Sequence, residues 1–245
     1  ITFIFHFFYG RTKSRTSIEK VKDEGDPVVN RKRVMALMAI FIIVIFFWLA
    51  FEQQGLTLNF WANDATNSAI MPEMFQSVNP MFILLFTFPL IAFWGFLRKR
   101  GKEPTTAAKI GIGMLLTAAC YTILFFAAKS GGNEGHVQVL WLLSAYATIT
   151  IGELCLSPMG LSLVSKLAPP RHLGMMMGLW FVASGIGALS SGLVGSFWDR
   201  MPHSSFFLML VISSLVVAFV LFLLLKWLNP IIHAAEQEAE HQSAH

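Results

Sequence analysis

Two carboxylates stand where a carboxylate is costly. Glu52 follows an uncharged run from 34 to 51, and Glu153 follows another from 135 to 152. An ionisable side chain in hydrocarbon costs at least about 2.5 kcal/mol, so it faces a bundle interior or a wet cavity, where it marks a site. Removed from water, a carboxyl keeps its proton to higher pH and can exchange it near neutrality. Paired with a cation, it stays charged instead and forms a separable ion pair. No Lys or Arg lies deep in either run, so the cation must come from elsewhere in the protein or from a cationic substrate. The plainer reading of each glutamate is a carboxylate held by hydrogen bonds for packing alone. Their settings argue for more. Glu52-Gln53-Gln54-Gly55 interrupts an apolar helix, and Gly152-Glu153 is followed one turn later by Ser157-Pro158. Ser157 shares a helix face with Glu153, and Pro158 frees a backbone carbonyl nearby.

Other candidates carry less. Trp180 and Phe181 lie inside a span, away from the interfacial belts where Trp collects, and read either as a cavity wall or as lipid-facing packing. Gly174, Gly178, Gly185, Ala188, Gly192 and Gly195 recur at helical spacing, which lets two backbones approach closely in lipid. The same face would suit a sliding surface. Pro89 and Pro158 predict kinks. The histidines fall mostly at span ends or in the tail, so no metal-ligand set is expected. No Ser-His-Asp set, phosphate loop or dinucleotide fingerprint is present. The expectation is a protein with no catalytic residue, no metal and no bound cofactor. Cys120 and Cys155 sit inside spans and read as small packing residues.

The elements that must position these groups follow from where charge is missing. The chain of 245 residues is 55% hydrophobic and only 13% charged, where soluble domains carry about 25%. Residues 34–51, 74–97, 110–128, 135–152, 173–198 and 201–225 are uncharged. Each run approaches or exceeds the ~20 residues that span a bilayer. The reading is an all-α membrane protein with six spanning helices near 34–62, 78–97, 105–128, 137–166, 172–198 and 203–228, a six-helix unit over 34–233. Ile1 to Tyr9 reads as the end of a preceding membrane helix. Residues 10–33 form a basic loop with a turn at Gly25-Asp26-Pro27, and 234–245 a loose polar tail.

The net charge of +4 is not a nucleic-acid footprint, because the basic residues flank the spans. Eight fall in 10–33 and four in 98–104, with Lys166, Arg171 and Lys226 on the same side. Lys129 and Arg200 lie on the other. The basic side is therefore expected to be cytoplasmic, with the tail there too, in a multi-pass protein of the cytoplasmic membrane.

The segments bearing the glutamates resemble one family. Phe47-Trp48-Leu49-Ala50-Phe51-Glu52-Gln53-Gln54-Gly55-Leu56-Thr57-Leu58 is similar to the seventh helix of the proton-dependent oligopeptide transporters. Asn79-Pro80-Met81-Phe82-Ile83 resembles the start of their eighth helix. Gly152-Glu153-Leu154-Cys155-Leu156-Ser157-Pro158-Met159-Gly160-Leu161-Ser162, followed by Lys166-Leu167-Ala168-Pro169, resembles the tenth. Gly178-Leu179-Trp180-Phe181 with its Gly-rich sequel resembles the eleventh. The resemblance implies the C-terminal half of a twelve-helix major-facilitator fold, with substrate between two six-helix halves near mid-membrane. It implies proton-coupled symport of di- and tripeptides, with protons as the coupling ion. Glu153 would bind the peptide amino terminus and Glu52 would serve proton coupling and gating. Asn79 would contact peptide backbone, with Trp180 and Phe181 lining side-chain pockets. The partners implied are small peptides, the lipid bilayer and an N-terminal six-helix half. Two other readings stay open: a related carrier of nitrate or another small solute, and a non-transporting membrane subunit or membrane-embedded enzyme.

Overall fold

The computed structural model describes residues 27–65, 72–132 and 136–243. The helix end expected over 1–9 and most of the 10–33 loop lie outside the described residues. Helix α1 (Pro27–Phe51) leads through a 3-10 turn, Glu52–Gln54, into α2 (Thr57–Ala65). Then follow α3 (Val78–Lys99), α4 (Thr106–Ala127), α5 (Val139–Leu167), α6 (Leu173–Gly195) and α7 (His203–Ser243). With α1 and α2 taken as one interrupted span, six helices among the described residues are long and apolar enough to cross a bilayer.

Two boundaries differ from the sequence reading. Helix α1 starts at Pro27, so Arg31, Lys32 and Arg33 ride its opening turns instead of a loop. Proline fits the first turn of a helix, where its missing N–H has no partner to lose. Helix α7 runs on to Ser243, so the expected loose tail is helical that far. Its run of Ala, Glu and Gln residues carries strong intrinsic helix propensity and extends a helix already nucleated in the last span.

The helices meet where glycine removes a side chain. A Cβ on Gly113 of α4 would lie 2.8 Å from the Gly152 carbonyl of α5, and one on Gly152 would lie 3.0 Å from the Gly113 carbonyl. On α6, a Cβ on Gly187 would lie 2.5 Å from the Ile45 carbonyl of α1. The Trp180 ring of α6 sits directly on Gly160 of α5. In lipid such close backbone approach supplies the packing energy that water supplies in soluble proteins. Helix α3 is the loosest member; of its residues only Trp94 is buried.

The core divides in two. One cluster joins Ala36 to Phe47, Ala107 to Met114 and Leu156 to Ala168 with Trp180 and Leu221. The other joins Ala50, Leu58 and Trp61 to Cys120 through Ala128, Leu142 to Ile149, Trp198 and Phe206. Helices α1, α4, α5 and α7 run through both. The seam between the clusters crosses α1 at its end and α5 between Ile149 and Cys155, where Glu52 and Glu153 lie.

The α3–α4 turn is tied by charge. Gly101 takes a positive φ of 65°, which glycine adopts without the strain a Cβ would add. Arg98 donates Nε and Nη2 to the Glu103 carboxylate at 2.6 and 3.0 Å, and Lys109 Nζ donates to the same carboxylate at 2.6 Å. Lys109 is buried, with Nζ 5.0 Å from the centre of the Trp94 ring. The Arg98 hydrogen bond foremost, helped by Lys109, holds the Glu103 carboxyl down at about 2. Thr105 caps α4 by accepting from Ala108 N–H, and its hydroxyl donates to Asn229 Oδ1 on α7 at 2.9 Å.

Candidate functional site

The site grows from a helix that stops inside the hydrocarbon zone. After Phe51 the chain tightens: Gly55 N–H donates to the Glu52 carbonyl at 3.1 Å and Leu56 N–H to the Gln53 carbonyl at 3.2 Å. Glycine and paired glutamine amides favour this, because glycine weakens a helix and side-chain donors compete for its carbonyls. Carbonyls around the break must be satisfied from outside the helix, since lipid offers no donor. Tyr121 of α4 donates its hydroxyl to the Ala50 carbonyl, and Tyr146 of α5 donates to the Gln54 carbonyl at 3.2 Å. Gln54 Nε2 donates to the Phe51 carbonyl at 3.3 Å. The break is therefore built from three helices.

At this break Glu52 faces a pocket of about 170 Å³ lined by Phe51, Glu52, Gln54, Gly55, Asn79 and Tyr146. Its half-buried carboxylate makes no hydrogen bond or ion pair among the described residues. Across the pocket Asn79 of α3 turns its amide to α5. Nδ2 donates to Thr150 Oγ1 at 3.0 Å and to Glu153 Oε2 at 3.1 Å. Both amide hydrogens are thus engaged, which leaves Oδ1 as the amide's remaining hydrogen-bonding atom, an acceptor. Thr150 donates in turn to the Tyr146 carbonyl at 2.7 Å. Tyr146, Thr150 and Glu153 recur at i, i+4 and i+7, so one face of α5 carries all three. The arrangement can hold a proton, or a ligand rich in N–H donors, and its lining among the described residues carries no cation for an anion.

Asn79 therefore links the two glutamates: it lines the pocket that Glu52 faces and bonds Glu153. Ser157 lies one turn beyond Glu153, with its Oγ buried and without a hydrogen-bond partner. Trp180 and Phe181 do not reach this pocket within the described helices. Trp180 is buried against Gly160, with its ring centre 6.3 Å from that of Phe41 in edge contact. Phe181 is 63% exposed among the described helices. Cys120 and Cys155 are free thiols in buried positions. Tyr121, Tyr146, Thr150 and Lys109 escaped the sequence reading. The tyrosines had a legible signal, since a Tyr within a span, away from the interface, needs a partner for its hydroxyl.

The family model of the POT family matches residues 12–212. The chain belongs to the POT family. Among its POT relatives, the peptide transporter YePEPT of Yersinia enterocolitica subsp. palearctica is 40% identical over 175 residues. That match covers 68% of this chain and 34% of the relative. A di-/tripeptide transporter of Lactococcus lactis subsp. cremoris is 29% identical over 206 residues, 80% of this chain and 41% of the relative. The fold matches a POT family transporter solved with a thioalcohol-conjugated peptide at a TM-score of 0.74 and 28% identity. There 83% of this chain covers 42% of that one. The peptide transporter POT solved with sulfate gives a TM-score of 0.75 at 26% identity, covering 94% of this chain and 45% of that one. The chain thus spans less than half the length of these POT proteins. It is a multi-pass membrane protein with a six-helix unit of the major-facilitator fold.

Proposed function

We propose that this chain forms the C-terminal half of a transporter that moves di- and tripeptides by alternating access, coupled to protons. The observation that carries the reading is the polar cluster at the seam: Glu52 and Asn79 line one pocket, and Asn79 Nδ2 in turn donates to Glu153 on α5. A peptide ammonium brings three N–H donors and a positive charge, and this cluster meets it with a carboxylate and neutral acceptors. The names of the relatives agree with that chemistry. Glu52, without a cation partner among the described residues, is placed to take the coupling proton or to pair with a cation of the other half. An anion carrier would need a cation here; Lys109, buried at the start of α4, is already paired with Glu103. The basic connections are assigned to the cytoplasmic side of the cytoplasmic membrane by their Lys and Arg excess, and the tail, which follows the last span on that side, goes with them.

Reconstitution of the full-length transporter tests this directly. Proteoliposomes should accumulate labelled dipeptide when the outside is acidic and stop when an ionophore collapses the gradient. Glu52→Gln should weaken accumulation far more than peptide-for-peptide exchange. Uptake indifferent to the gradient, or accumulation unchanged in Glu52→Gln, would overturn the proton assignment; no dipeptide uptake at all would overturn the substrate.

A further inference from the structure

We propose that Gln53 is the positioning residue of Glu52, tying the break in the first span to α6; the inference rests on the transporter reading above. Gln53 is fully buried, and both ends of its amide are engaged. Nε2 donates to the Ser191 carbonyl of α6 at 2.8 Å, and Oε1 accepts from the Thr57 hydroxyl at 3.0 Å. A buried amide left without partners is costly, so one satisfied from two separate elements specifies their relation. Thr57 opens α2 on the far side of the break, and Ser191 belongs to the neighbouring helix. One side chain therefore fixes three things: the end of α1, the start of α2 and the height of α6.

The surrounding glycines keep α6 close enough for this tie. Gly187, one turn before Ser191, lies against the Ile45 carbonyl and Leu49 N–H, and a Cβ on Gly195, one turn after, would meet Gln53 Oε1 at 3.7 Å. Adjacent residues of a helical turn diverge by roughly 100–120°. Gln53 points into the α1–α6 contact, so Glu52 is aimed the other way, into the pocket with Asn79 and Tyr146. A residue of similar size without donors, such as leucine, would remove the tie while matching glutamine as a helix former. The chain could then continue as α-helix and rotate Glu52 away from Asn79. The consequence should fall on the step that Glu52 performs and leave substrate recognition by Glu153 in place.

The experiment compares Gln53→Leu, Thr57→Val and Glu52→Gln, with the Gln53→Leu/Glu52→Gln double variant, in the full-length transporter in proteoliposomes. Gln53→Leu should lower the maximal rate of proton-driven dipeptide accumulation at least about fivefold, the equivalent of one lost hydrogen bond. The KM for peptide exchange without a gradient should stay within about twofold. Thr57→Val, nearly isosteric and limited to one bond, should show the same split more weakly, and it answers the question should Gln53→Leu fail to insert. In the double variant the Gln53 substitution should add nothing to Glu52→Gln, because its effect passes through that carboxylate. Equal loss of exchange and accumulation in both single variants, or full additivity in the double, overturns the positioning role. A wild-type protein that accumulates no dipeptide instead overturns the transporter reading on which it rests.

Discussion

Replacing Glu153 by glutamine removes one oxygen's charge and changes little else in volume, so its effect can be worked from the two oxygens separately. Oε2 accepts from Asn79 Nδ2 at 3.1 Å, and the other oxygen makes no hydrogen bond among the described residues. In Glu153→Gln the amide oxygen can keep the Asn79 contact, which turns the new NH2 group toward the ligand. A peptide ammonium then meets a donor where it met an acceptor. Hydrogen bonds to charged groups are worth about 1.5–3 kcal/mol, which is roughly tenfold to more than a hundredfold in affinity. Glu153→Gln should therefore weaken binding of a free dipeptide by that range. An acetylated dipeptide carries no ammonium, binds the wild type more weakly, and should lose much less. The assay is competition against a labelled dipeptide, free and acetylated, by exchange in proteoliposomes at neutral pH. Thr150→Val supplies an internal control: it deletes the acceptor for Asn79 Nδ2 at 3.0 Å but leaves the Glu153 charge. Its loss should be smaller than that of Glu153→Gln and of the same sign for both ligands. Equal losses for free and acetylated peptides in Glu153→Gln would refute the reasoning and return Glu153 to packing.

Three further outcomes are expected. Gly160→Ala should lower the melting temperature of the protein, since a Cβ there would run into the Trp180 ring; overpacking of this kind costs about 1–3 kcal/mol. Gly95→Ala, with open space around its Cβ, should leave the melting temperature unchanged. The Glu103 clamp should hold throughout the pH range of transport assays: its carboxyl is held down, so its stabilisation is present above 4.5 and is lost as pH falls toward about 2. Glu103→Gln should then lower the melting temperature at pH 7 and leave it nearer the wild-type value at pH 3, and an equal deficit at both pH values would refute the clamp. Single cysteines at Lys102 and Ser130, both exposed at opposite ends of α4, should react with an impermeant maleimide from opposite faces of the membrane.

The helices were legible because charge is so costly in hydrocarbon that its absence outlines each span. Their ends were less so. Pro27 and Arg31 to Arg33 read as a loop because basic residues mark interfaces, yet a helix can carry them into the headgroup layer without cost. The tail to Ser243 read as loose because it lacks an apolar stripe, whereas propensity and an existing nucleus were enough. Glu52 and Glu153 were found from charge alone. What joins them was hidden: Thr150 and Tyr146 are ordinary residues in an apolar run, and only the helix crossing set by Gly113 and Gly152 brings their face of α5 to Asn79 and the break. Trp180 shows the converse. Its position inside a span left a cavity wall and lipid-facing packing both open, and among the described helices the ring packs on Gly160.

The seam between the two apolar clusters explains why the polar groups collect at one level. Side chains packed on both sides of a helix leave no room for a ligand, and a carboxylate set among them would have no partner. Where the packing changes from one cluster to the other, α1 can break without exposing a carbonyl, because Tyr121 and Tyr146 reach in from α4 and α5. The pocket that results carries acidic and neutral groups, while the buried Lys109 is held by Glu103 at the α3–α4 turn. A zwitterionic peptide bound by its ammonium at Glu153 would bring its carboxylate near no described cation at this level. The complementary positive charge must then be supplied by residues outside those described, and binding of the whole peptide requires both sources at once. A peptide amidated at its carboxyl end should accordingly remain sensitive to Glu153→Gln by the same factor as the free peptide, because the two ends are read by separate groups. A strongly reduced Glu153→Gln effect on the amidated peptide would show instead that the two ends share one charge network.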